Sequence, residues 1–318
     1  MSRTHRPPRH LTCDFGLGLF AGLTARLTPT TLADVNSRRG RRKLAAINES
    51  GDVGTSSRAA AITNSFGLVE AMFGLVGGFL LATLAVSAYA ASTPHGQQVS
   101  QYGEEVVSLL GLWVGFVGAA IVATRLAGHV VGEGPGRSHP SDGEQRQGSG
   151  SVVRDYGLVL RPWPDIPLGI VAGVGSQYLL VPVVEAPLLL FVHHLYSRLS
   201  HPAQSLTGHA FGPGLVVIAV LVCLGSPIVE EFFFRGLLLR ALMGSFKDLG
   251  PRLAPVVSVA LTALVFALAH FEALQFLGLA AFGVVLGLLA WRTGRLGPSI
   301  VAHMAFNTVT IVAIVASR

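Results

Sequence analysis

Seven blocks of mostly apolar residues, each close to the length of a bilayer span, constrain this chain more than any other feature. They cover residues 66–91, 106–124, 166–195, 214–239, 255–271, 274–291 and 298–316. A helix rises about 1.5 Å per residue, so about 20 apolar residues cross a hydrocarbon core of about 30 Å. Lipid offers no partner to a backbone N–H or C=O, so a spanning segment must satisfy its own as a helix. The expected fold is all-α, a polytopic membrane helical bundle of seven transmembrane helices. Composition agrees. With 51% hydrophobic and 13% charged residues and a mean hydropathy of +0.57, 318 residues lack the charge to cover a soluble surface.

The basic residues set an expected orientation. Start with the N-terminus in the cytoplasm. Residues 1–65, 126–165, 240–254 and 292–297, with Arg125 and Arg235 counted at span ends, then hold 21 of the 23 Lys and Arg residues. The other side holds only Arg198 and Arg318, and residues 92–105 have none. Lys and Arg collect in cytoplasmic loops, so this alternation points to an integral membrane protein (plasma membrane in a bacterial host) with its N-terminus inside. The net charge of +6 and pI near 9.9 then report orientation, and no nucleic-acid partner is expected.

Composition also divides the chain. Residues 1–65 read as a basic, disordered cytoplasmic tail, densest at Arg38, Arg39, Arg41, Arg42 and Lys43. Residues 66–125 form a two-helix hairpin, 126–165 a flexible linker, and 166–318 a five-helix unit. No signal peptide is evident near the start, and Cys13 and Cys223 support neither a disulfide framework nor a cysteine-rich zinc site. No internal repeat is visible. Small residues four apart (Gly74 and Gly78, Gly111 and Gly115, Gly169 and Gly173, Gly283 and Gly287) predict close helix contacts.

Ionisable groups in lipid cost about 2.5–3.5 kcal/mol each on insertion scales, so each calls for a reason. They are Glu70, Glu185, Glu230, Glu231, Arg235, His270 and His303, with five of the seven in the last four spans. Glu70 and Glu185 are expected to be structural or interfacial, Glu185 in a helix broken between Pro182 and Pro187. Glu231 and Arg235 lie one helical turn apart and can pair. Glu230, rotated by about 100°, is left free as a base for water. Pro227 cannot donate to the Cys223 carbonyl, so the helix should kink or restart there, with Ser226 a plausible N-cap if it restarts. Phe266 shares a face with His270, and His303 with Asn307. The latter two offer adjacent donors of the kind a developing oxyanion wants.

Glu-Glu-x-x-x-Arg, Phe-x-x-x-His and His-x-x-x-Asn, in order and in apolar segments, resemble the CPBP intramembrane proteases, which include type II CAAX prenyl endopeptidases and bacteriocin-processing or immunity relatives (the Abi family). The resemblance covers about residues 212–313, and Tyr156-Gly-Leu-Val-Leu resembles the family's entry segment. It implies that Glu230 activates water with His270, that His303 and Asn307 stabilise the oxyanion, and that Glu231, Arg235 and Phe266 support the site. The implied activity is an endopeptidase acting on a membrane protein or peptide that enters from the bilayer. Zinc would want about three N or O ligands, a set that Glu230, His270 and His303 could supply. There is no His-Glu-x-x-His, and the favoured reading needs no cofactor, with zinc left open.

Two other classes stay open: a non-enzymatic membrane scaffold or immunity protein on the same fold, and a proton-coupled carrier. A carrier should show repeated halves with broken helices in matching positions. One depth problem also stands. From Pro255 to His270 helix rise gives about 22 Å, short of the core's 30 Å, while Glu230 lies towards the opposite face. The residues are expected to meet because Pro255 starts in the headgroup zone, with 232–247 running partly along the interface.

Overall fold

The computed structural model describes residues 67–94, 97–132, 151–195, 198–199, 204 and 212–316. The expected tail, 1–65, and the linker residues 133–150 lie outside the described residues. Among those described there are no strands, and seven helices are long and apolar enough to cross a bilayer. They are α1 (Leu68–Ser92), α2 (Gln101–Gly132), α4 (Pro162–Leu190), α5 (Pro213–Ser245), α6 (Gly250–Leu268), α7 (Phe276–Thr293) and α8 (Gly297–Ala316). A short α3 (Val152–Asp155) precedes α4. The all-α polytopic bundle is as expected.

The borders moved where packing rewards a longer helix. Helix α2 continues to Gly132, and α3 with the first turn of α4 occupies the other end of the expected linker. The expected loop 240–254 shrinks to residues 246–249. Leu239, Ala241, Leu242 and Met243 find apolar cover there, and Pro251 sits in the first turn of α6, where a missing N–H costs nothing. Arg240, expected in a cytoplasmic loop, is buried. Within the expected interfacial strip 232–247 lies the most enclosed part of α5, since every residue from 231 to 243 is buried against protein. Three successive phenylalanines explain this. Phe232 packs on Tyr156, Phe233 stacks on Phe116 at 4.1 Å, and Phe234 meets Phe266. Their area is worth more against protein than in a headgroup layer.

All four glycine pairs lie at helix contacts. Gly111 and Gly115 bring α2 onto the backbone of α1 at Ala82 and Gly78. Gly74 makes room for Phe233 and Ala119, so the hairpin rests directly on α5. Gly169 and Gly173 seat α4 on Val301 and Ala302 of α8, and Gly283 and Gly287 seat α7 on Ala263 and Val259 of α6. The hairpin and the later helices therefore belong to one unit, Arg58–Arg318.

Tyr156 ties the ends together. It is fully buried, donates from its hydroxyl to the Ala120 carbonyl at 2.7 Å, and receives Thr124 Oγ1 at 3.2 Å. Burial pushes its phenol up to about 12, which keeps it a donor. Leu296 N–H bonds Gly157 O, and Arg295 pairs with Asp165 at the start of α4.

Helices α4 and α5 break in the same way, which no sequence repeat announced. In α4 a π-helical stretch, Ser176–Leu180, precedes Val-Pro182-Val-Val-Glu185. In α5 a π-helical stretch, Leu221–Gly225, precedes Ser-Pro227-Ile-Val-Glu230. Each wide turn, with bonds spanning five residues, carries the helix through a proline without a restart. Ser226 is helical, with φ −55° and ψ −50°, and does not act as an N-cap.

Candidate active site

Glu230 lies on α5 two residues before a second π-helical stretch, Phe232–Leu238. His270 stands two residues beyond the end of α6, and His303 and Asn307 are one turn apart on α8. The depth problem resolves because α6 starts at Gly250 and not at Pro255. His270 is then about 30 Å by helix rise from the α5–α6 connection, and Glu230 about 22 Å back from Ser245 on the neighbouring helix. Tilt and side-chain reach close the rest: His270 Nε2 lies 3.9 Å from Glu230 Oε2.

That pair is the open half of the site. The Glu230 side chain is 12% exposed and that of His270 32%. Glu230 Oε2 is buried with no hydrogen-bond partner. His270 Nδ1 lies 2.7 Å from the Phe266 carbonyl, which can only accept, so Nδ1 carries the proton. In the neutral ring Nε2 is then an acceptor, facing a carboxylate that is also an acceptor. One water donating to both satisfies this arrangement.

The closed half is a bonded cluster. Arg235 Nη1 donates to Glu231 Oε1 at 2.8 Å, and His303 Nδ1 lies 3.1 Å from the same oxygen. Arg235 Nη2 reaches the Gly283 carbonyl at 3.1 Å, so α5, α7 and α8 share one knot. Arg235, counted above at a span end, is fully enclosed within α5. Phe266 lies between the halves, with its ring 4.6 Å from that of His270, 5.7 Å from that of His303, and under the Arg235 guanidinium at 4.5 Å. Asn307 points elsewhere: its Nδ2 donates to Val222 O at 2.8 Å.

The donor set also bears on zinc. His303 has Nδ1 engaged by Glu231, and among the described residues no three His, Cys, Asp or Glu side chains are gathered as a metal site requires. Glu230, His270 and His303 do not form that set in this geometry.

The segment from α5 to α8 carries every one of these groups. Residues 212–309 match the Rce1-like family of type II CAAX prenyl endopeptidases. The CPBP resemblance is thereby borne out over about a third of the chain. The Rce1-like stretch holds Glu230, Glu231, Arg235, Phe266, His270, His303 and Asn307, while the hairpin, α3 and α4 lie outside it. The match implies a membrane-embedded protease. No curated protein and no solved structure matches the chain.

Three features at this candidate site were not read from the sequence. Glu231 serves His303 as well as Arg235, which needs α8 beside α5. Phe271, next to His270, has φ +54°, is 77% exposed and packs edge-on to Phe79 of α1 at 5.2 Å. No glycine marks that left-handed position, so it is visible only in the folded chain. The third is the bond from Asn307 to Val222. Pro227 foretold an orphaned carbonyl, but α-helical spacing named Cys223, and the wide turn moves the vacancy back by one residue.

Proposed function

We propose that the chain is an intramembrane endopeptidase in which Glu230 activates water against a peptide bond. The observation that carries this reading is Glu230 Oε2, buried without a hydrogen-bond partner and 3.9 Å from His270 Nε2. A water held by both donates one hydrogen to the carboxylate and one to the imidazole. As its oxygen attacks the carbonyl carbon, its proton passes to Glu230. The oxyanion forms on the His303 side, where a ring held through Nδ1 by Glu231 has Nε2 left to donate when protonated. Collapse breaks the C–N bond, and Glu230 returns the proton to the leaving amine. Arg235 offsets the Glu231 charge, so that Glu231 orients His303 while Glu230 does the chemistry. No step needs a metal ion. The substrate is a membrane protein or peptide reaching Glu230 from the bilayer, and the N-terminus faces the cytoplasm.

The test is proteomics of membrane fractions from cells making wild type, Glu230→Gln or His270→Ala. New peptide ends that depend on both side chains and persist under strong chelation support the reading. Ends unchanged in both variants would sink it. The carrier alternative draws on one observation, the matching breaks of α4 and α5 with a glutamate three residues after the proline in each. Proton-coupled uptake into vesicles that needs both Glu185 and Glu230, with no peptide ends, would favour it.

A further inference from the structure

We infer that Asn307 is a positioning residue for Glu230, acting through the Val222 carbonyl. This rests on the endopeptidase reading and departs from the oxyanion role that resemblance assigns to Asn307.

The argument starts from proline chemistry. In the wide turn of α5, Ser226 N–H bonds Leu221 O, five residues back. The next bond in that series would run from residue 227 to Val222 O. Pro227 has no N–H, so Val222 O loses its helical donor. A carbonyl left bare inside a membrane bundle is costly, and the helix should tighten, fray or shift to relieve it. Asn307 Nδ2, from α8, supplies the missing hydrogen at 2.8 Å.

The consequence falls on Glu230, three residues after Pro227. A turn that holds one extra residue sets the phase of every later residue in the helix, at about 100° per residue. Keeping the turn wide keeps Glu230 turned towards His270. Two bonds then hold α8 to α5 on both sides of Glu230 in the chain: Asn307 to Val222, and His303 to Glu231 at 3.1 Å. Asparagine suits the first position because its amide donates to a carbonyl, which an aspartate of the same shape cannot do.

The clip makes an unusual demand. If Asn307 matters because Pro227 lacks a donor, giving residue 227 a donor should make Asn307 dispensable. The experiment is a double-mutant cycle of Asn307→Ala and Pro227→Ala in the full chain. Two quantities are read: Glu230-dependent peptide ends in the membrane fraction, per amount of folded protein, and the thermal midpoint in detergent.

Asn307→Ala should lower those ends about tenfold or more when residue 227 is proline, and within about twofold when it is alanine. An equal penalty in both backgrounds would mean that Asn307 acts on the substrate, and would overturn the inference. So would an Asn307→Ala variant with undiminished ends. If Glu230→Gln itself changes no peptide ends, it is the endopeptidase reading that has failed. The thermal cycle then decides the clip alone: coupling between positions 227 and 307 upholds it, and additive shifts refute it.

Discussion

Helices α4 and α5 pose the same local problem and answer it differently. Each has a wide turn, a proline two residues later and a glutamate three residues after that, buried in α4 and partly exposed in α5. In α5 the orphaned carbonyl belongs to Val222 and is answered by Asn307, and the glutamate meets His270. In α4 the corresponding carbonyl belongs to Gln177, and Glu185 lies against Gly278 in the first turn of α7. The residues beyond the glutamates differ as well. After Glu230 come Glu231 and Arg235, fully enclosed, whereas after Glu185 come Ala186 and the exposed Leu190. The same backbone grammar thus yields a glutamate facing a histidine in one helix and a packed carboxylate in the other. Neighbouring helices make the difference.

The comparison breaks most visibly at the glutamates. Glu230→Gln should cut peptide-end formation by about 10²–10⁴-fold, the usual worth of a positioned base, while Glu185→Gln stays within about threefold. Equal losses would place Glu185 in the chemistry. Next in size is Arg235→Ala, which strands Glu231 and should cost about 3–5 kcal/mol of stability. At the matching place in α4, Leu190→Ala should stay within about 0.5 kcal/mol. Denaturant titration in detergent measures both. Gly278→Ala puts a methyl group on the Glu185 carboxylate and should cost about 1–3 kcal/mol, with peptide ends per folded molecule unchanged. The smallest effect is the most diagnostic. Pro182→Ala restores a helical donor and should stabilise by about 1 kcal/mol, whereas Pro227→Ala gains less because Val222 O is already bonded. A larger gain at Pro227 would contradict the clip.

Much of the architecture was legible in the residues alone. Those four apart on a helix share a face whatever surrounds them, so the Glu231–Arg235 pair and the edge-on contact of Phe266 with His270 were visible in the spacing. The glycine pairs were legible because only a missing side chain lets two backbones approach. Helix ends were less so: residues 240–254 look like a loop until Tyr156 and the hairpin cover α5 and reward its extension. The wide turns were not legible at all. An α-helix and a π-helix differ by one residue per bond, and nothing in Leu221–Gly225 announces which will form.

Span number, the all-α class and the identity of the polar residues were therefore determined by the sequence alone. They come from side-chain transfer free energies and from a backbone that lipid forces into helices. Only the tertiary structure decided which glutamate meets a histidine, which carbonyl Pro227 leaves bare and which side chain answers it. Those outcomes depend on the phase of two helices against a third. A single wide turn shifts that phase while leaving every local preference as it was.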